Sequence, residues 1–222
     1  MKTQLKFVAI AALSVCAHGA FAQSAGSIMA RAGYGTIAPQ VSSGDLSAPS
    51  LPGSKTDVGS ASNLMGGVTY MYTDNISFDV PLALPFKHKI YGAGALAGVG
   101  QIADTLALPI TVLAQYRFLD AKAQFRPYVG LGATYAYFFN EVGSGTLTSL
   151  TNPGGPPTTL KIDGQFTVTG QIGATYAIDN HWFVDGFYSM TPLKTKTTLS
   201  TGQTVDVTLD PNSYGLAIGY KF

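Results

Sequence analysis

Beyond residue 22 the chain has no cysteine at all; its single cysteine, among 222 residues, is Cys16. That absence excludes a disulfide scaffold and any cysteine-based metal or nucleophile site. Charge is also scarce, at 11% of residues, with 13 basic against 12 acidic side chains. Lys2 and Lys6 belong to the leader discussed below, so 13 − 2 = 11 basic residues face 12 acidic ones in the remainder. No basic cluster stands out, so a nucleic-acid partner is not expected. Nor does any apolar run of 18 or more residues follow the leader, which excludes a membrane-crossing helix. Only His88 and His181 remain as histidines there. No metal-ligand spacing and no carboxylate pair is evident, and the Gly/Ala-rich 92–100 segment lacks the Lys-Ser/Thr of a phosphate loop. Neither an enzyme nor a cofactor or metal is expected. The two histidines fall at opposite ends of a strand-built fold, roughly 30 Å apart. The enzymatic alternative is a Ser–His pair at the outer rim, which requires a polar cluster around His88.

The chain opens with Lys2 and Lys6, an apolar stretch from Phe7 to Ala17, and Ala20-Phe21-Ala22. This is the layout of a signal peptide, with the mature chain starting at Gln23. Val15 before Cys16 argues against lipidation, which wants a small residue there.

Glycine is abundant, with 26 residues, and aromatics make up 11%. A chain this apolar without helical spans has one way to sit in lipid: a closed barrel, because hydrocarbon satisfies no open backbone edge. The last nine residues show the pattern directly. Tyr214, Leu216, Ile218, Tyr220 and Phe222 share one face, and Gly215, Ala217, Gly219 and Lys221 share the other. The same alternation predicts strands near 26–38, 61–72, 76–84, 106–118, 125–139, 163–178 and 182–197, with 214–222 as the eighth. Long loops are expected near 39–59, 85–105 and 140–162, and tight turns at 73–75 and 179–181. The fold class is therefore all-β: an eight-stranded, antiparallel, up-and-down transmembrane β-barrel formed as a single domain, residues 23–222. A soluble barrel would point its apolar face inward. Here the inward faces collect Arg31, Asp79, Arg117, Asp185 and Lys221, while the outward faces are nearly free of charge. Tyr72, Tyr116, Phe118, Trp182, Tyr220 and Phe222 are placed for an aromatic girdle at the periplasmic rim.

Several stretches resemble the OmpW family of bacterial outer-membrane proteins. They are Pro85-Phe86-Lys87-His88, the run from Leu108 to Phe118, and Pro127-Tyr128-Val129-Gly130 with its continuation to Phe139. Arg31-Ala32-Gly33-Tyr34 and the terminal Tyr220-Lys221-Phe222 also fit. The chain departs from the family in having Ile110 after Pro109, where a second proline is frequent. The resemblance implies an eight-stranded barrel with a narrow, largely apolar lumen that passes small hydrophobic molecules across the outer membrane.

The inward apolar residues expected to form that path are Met29, Ile37, Met65, Met71, Leu113, Phe138, Phe183 and Phe187. The inward charges either fill a narrow barrel as ion pairs or form a polar plug beneath an apolar vestibule. A hydrophobic solute gains about 0.8 kcal/mol per CH₂ on entering lipid, so a side exit suits it better than a through-pore. Proline donates no backbone hydrogen bond, so Pro81, Pro85 and Pro109 mark a lateral gap between the third and fourth strands; Pro192 sits similarly on the seventh. The plainer reading is that these prolines end regular pairing above the membrane. Phe222, by resemblance to other barrels, is the expected signal for the outer-membrane assembly machinery. Outer-membrane lipid and small hydrophobic molecules are the other expected partners, and the barrel is expected to be monomeric. The rival is a structural or adhesive barrel with a plugged lumen, acting through its surface loops.

Overall fold

A computed structural model describes residues 23–222, and the predicted signal peptide lies outside the described residues. In chain order the strands are β1 (Ile28–Ala38), β2 (Ser42–Ser43), β3 (Ser54–Val58), β4 (Ala61–Met71), β5 (Ile76–Ala83), β6 (Phe86–Gly94) and β7 (Gln101–Arg117). They continue as β8 (Phe125–Gly143), β9 (Leu160–Ile162), β10 (Gln165–Ala177), β11 (Trp182–Met190), β12 (Lys194–Leu199), β13 (Thr204–Thr208) and β14 (Asn212–Lys221). A short helix, α1 (Gly145–Thr151), is capped by the Ser144 hydroxyl, which accepts from the Leu147 N–H at 3.2 Å.

Eight of these strands are staves of a closed antiparallel barrel, in the order β1-β4-β5-β7-β8-β10-β11-β14 and back to β1. The β7–β8 ladder closes one side, and β1–β14 joins the first strand to the last. Alternation sets which side chains face which medium. In β10, Val168, Ile172 and Tyr176 are exposed on the outside, whereas Thr169, Gln171 and Thr175 are buried inside. In β14, Leu216 and Ile218 face out and Ala217 faces in. An exposed apolar band of this extent would drive aggregation in water and is at home in a bilayer. The nine residues of β11 rise about 23 Å when tilted near 40°, close to the apolar thickness such a barrel presents.

The connections at one end are short, at 72–75, 118–124 and 178–181; those at the other are long and folded. Here the structure departs from the predicted loops. Much of 85–105 is a hairpin: β6 and the first residues of β7 carry the barrel wall outward, and β3 from the 39–59 segment pairs with β6. The 140–162 segment holds the end of β8, α1 and β9. The predicted seventh strand stops at Met190 instead of 197 because Pro192 supplies no backbone N–H for the ladder. Its remainder becomes β12, which with β2, β13 and β9 forms a separate four-stranded sheet. This sheet buries Leu160, Ile162 and Leu199 with Ile90, Ile102 and Leu147, and Val205 and Val207 with Ala136, Leu193 and Leu209, so the outer end has an apolar core of its own.

Candidate functional site

The inside of the barrel divides into two storeys. The lower one begins with Arg31 of β1, whose guanidinium donates from both terminal nitrogens to Asp79 of β5, at 2.7 and 2.8 Å. Thr69 of β4 donates its hydroxyl to the same carboxylate at 2.6 Å. The Arg31 Nε has no hydrogen bond but lies 3.5 Å from an Asp185 oxygen. Asp185 also accepts from the Tyr128 hydroxyl at 3.2 Å and from Thr175 at 3.1 Å. Arg117 donates to Ser77, Thr175 and Gln115 at 2.9–3.1 Å and lies 4.7 Å from the centre of the Tyr128 ring. Gln115 passes the network on to Gln171 at 2.8 Å. These groups come from β1, β4, β5, β7, β8, β10 and β11, so the network crosses the lumen from wall to wall. Burying ionised groups is costly unless each is paired and hydrogen-bonded, and here two arginines and two aspartates are enclosed together.

Four of the five predicted charges meet in this floor. The fifth, Lys221, sits lower, opposite Met29 in the β1–β14 ladder. Arg126 and Tyr128 are floor residues that the sequence reading missed. Arg126 is fully buried and donates to the carbonyls of Gln23 and Asp74 at 2.9 and 2.6 Å. Both residues share the parity of Gly130 and Gly132, the small face opposite the exposed Val129 and Leu131, and carrying that phase back along the strand finds them.

The predicted apolar path separates into two groups. Met29, Met71 and Phe183 are fully buried and do not border the upper chamber. Ile37, Met65, Leu113, Phe138 and Phe187 do line it, together with Leu193, Leu209 and Arg31. The chamber is a cavity of about 250 Å³ between the floor and the outer sheet. His88 is part of its wall; its Nδ1 pairs with the Gly59 carbonyl at 2.8 Å, and burial holds its pKa below the ordinary histidine value. His181 lies in the 178–181 turn at the far end, where its ring stacks on Tyr220. Among the described residues no group of histidine, cysteine, aspartate or glutamate is arranged to hold a metal.

Three prolines had been singled out for a gap between neighbouring strands, and the ladder there is discontinuous. β5 pairs with β7 only from Ile76↔Tyr116 to Asp79↔Leu113; pairing resumes in β6 at Phe86↔Ala107. The intervening residues, 80–85 on one side and 108–112 on the other, are unpaired with each other and contain Pro81, Pro85 and Pro109. Six residues thus face five. The extra one is accommodated at Pro85, whose carbonyl accepts from the Asn63 side chain at 2.9 Å. Below this point the inward residues are odd-numbered, as Ser77 and Asp79; above it they are even-numbered, as Phe86, His88 and Ile90. The chamber is bordered by inward Pro81, Ala83, Pro109 and Thr111, and also by Leu82, Leu108 and Tyr137 of the opposite phase.

At the rim, Tyr72, Tyr116, Phe118, Trp182 and Phe222 are exposed. Trp182, Tyr220 and Phe222 form a run of edge-to-face contacts near 5 Å. Phe222 is tied to the first barrel strand by its N–H, which donates to the Ile28 carbonyl at 2.8 Å.

A closed eight-stranded barrel with an apolar exterior, an aromatic rim and a polar floor is an outer-membrane β-barrel. The chain belongs to the OmpW family, whose model matches residues 24–222. It is 36% identical over 210 residues to outer membrane protein W of Vibrio cholerae serotype O1, covering 91% of each chain. With outer membrane protein W of Escherichia coli K12 it shares 32% identity over 226 residues, 99% of each chain. The crystal structure of the outer membrane protein OprG from Pseudomonas aeruginosa superposes with a TM-score of 0.82 at 29% identity, covering 91% of this chain and 98% of that one. The protein is therefore located in the bacterial outer membrane.

Proposed function

We propose that this barrel admits small hydrophobic molecules from outside into an apolar chamber and releases them sideways into the bilayer. The observation that carries the reading is the wall of the chamber between β5 and β7. Residues of both phases, inward Pro81 and Pro109 and outward Leu82 and Leu108, border one cavity, and the backbones between them are not paired. The hydrogen-bonded floor supports the same reading, because it closes the aqueous route to the periplasm. An apolar solute leaving through the side passes from a chamber lined by Met65, Leu113 and Phe187 directly into hydrocarbon. It never pays the cost of water, about 0.8 kcal/mol for each CH₂. No chemical step is needed, and the protein acts as a passive conduit.

The test is to close the side. Cysteines replacing Leu82 and Ile110, in a mature chain that has none of its own, are joined by oxidation, and loss of free thiol is verified. Hydrophobic uptake into cells is expected to fall at least tenfold on oxidation and to recover on reduction. Unchanged uptake with the disulfide closed overturns the lateral route.

A further inference from the structure

Four threonines line the chamber as a continuous row. Thr111 of β7 bonds Thr134 of β8 at 2.8 Å, Thr134 bonds Thr169 of β10 at 2.6 Å, and Thr169 bonds Thr191 at 2.9 Å. All four border the cavity, and the first three are buried. The row crosses one wall of an otherwise apolar room. It starts beneath the outer sheet, where Thr191 follows the end of β11, and ends at Thr111, at the edge of the unpaired stretch.

Such a row is an unusual lining for a chamber that takes only hydrocarbons. Valine has nearly the same shape as threonine and would cost no buried polar groups. Four hydroxyls carry four O–H donors, and three inter-hydroxyl bonds use three of them. One donor remains for something else, along with several lone pairs. In each of the three bonds either oxygen can be the donor. If the hydroxyls point from Thr111 towards Thr191, the spare O–H is at the sheet end; if all turn over, it is at the gap end. Hydrogen-bonded chains polarise one another, which favours turning together.

We infer that the chamber takes neutral single-headed amphiphiles, with a hydroxyl-bearing head on the threonine row and an alkyl tail against Met65, Leu113 and Phe187. A hydroxyl head both donates and accepts, which matches a row that offers a donor at one end and acceptors along its length. A charged head is disfavoured, because an ion buried without a counter-ion is costly, the Arg31 terminal nitrogens are taken by Asp79, and the remaining Arg31 Nε already lies 3.5 Å from the Asp185 carboxylate. The tail then leads through the gap while the head moves along the row to Thr111. This rests on the conduit reading above and names the class of solute.

The experiment compares uptake of 1-octanol and n-octane, each supplied well below saturation, by cells carrying the wild-type barrel, the Thr134→Val/Thr169→Val variant or the Thr134→Ser/Thr169→Ser variant. Correct folding is verified by the gel-mobility shift on boiling. The valine variant is expected to lose about fivefold in 1-octanol uptake, the worth of one net hydrogen bond, with n-octane unchanged. The serine variant, which keeps the hydroxyls, is expected to retain 1-octanol uptake. Unchanged 1-octanol uptake in the folded valine variant overturns the inference and leaves the conduit standing. An equal fall for both solutes overturns it too, by assigning the row to barrel structure. A wild-type barrel that raises uptake of neither solute overturns the conduit reading itself.

Discussion

The lower and upper storeys of this barrel are built from the same strands, yet one is solid and the other hollow. Below, large polar side chains reach across the lumen: Arg31 and Tyr128 meet Asp79 and Asp185, Arg117 reaches Asp185 through Thr175, and few hydrogen-bonding atoms are left unused. Glycines make room for them. Tyr128 lies over its ladder partner Gly173, and Phe183 over Gly219. Above, the inward residues are mostly aliphatic or threonine and reach less far, so a cavity remains. In a barrel of eight strands the interior is only wide enough for side chains to fill. Whether it is filled is therefore decided one residue at a time on the inward face, independently of the backbone.

The contrast can be broken most strongly at the floor. Replacing Asp79 by alanine leaves Arg31 buried without its bidentate partner and is expected to cost about 3–5 kcal/mol, read as a lower urea midpoint in detergent. An Arg31→Met/Asp79→Leu variant, which removes both charges, should regain most of that loss. Equal destabilisation of the two variants would mean that shape, not the uncompensated charge, governs the site. A smaller effect is expected where an aromatic ring lies on glycine. A Cβ at Gly173 would fall 2.4 Å from the Tyr128 ring, whereas a Cβ at Gly170 in the same strand meets nothing within 4 Å. Gly173→Ala should cost about 1–3 kcal/mol by overpacking, with Gly170→Ala near neutral in the same unfolding assay.

The smallest effect concerns the upper storey. Burial lowers the pKa of His88 below the ordinary 6.5, so the unfolded chain binds a proton more readily than the folded one. Stability therefore rises with pH through this window. His88 contributes in full above about 6.5 and loses its contribution as pH falls from there towards the folded value. Hydrogen exchange of the β3–β6 ladder should quicken over that interval in wild type and not in His88→Asn. Pairing of the floor strands should be indifferent.

Much of this architecture was legible in the chain. Alternation at Tyr214–Phe222 and in β10 fixes inside from outside, because a strand has no other period. Arg31, Asp79, Arg117 and Asp185 were recognisable as inward for the same reason. What alternation could not supply is register. That Thr111, Thr134, Thr169 and Thr191 form one row follows from which strand lies beside which and at what stagger. The outer β6 was hidden for a different cause: Pro85 interrupts its pattern, and a change of phase reads as the end of a strand; β12 was instead read as the upper part of the seventh strand, continued through Pro192.

That change of phase has a mechanical consequence. The mismatch of 80–85 against 108–112 is an edge dislocation in the sheet: an extra half-row inserted on one side, between a run in single register below, Ile76–Asp79, and another above, Phe86–Ile90. Such a defect does not heal by local motion. Pairing β5 with β7 in a single register up to β6 would shift that strand by one residue and turn Phe86, His88 and Ile90 out of their core while bringing Lys87 and Lys89 in. The break in the ladder is thus maintained by residues well above it, and its extent is a property of the whole wall, set when the strands first align and kept for as long as the barrel stays folded.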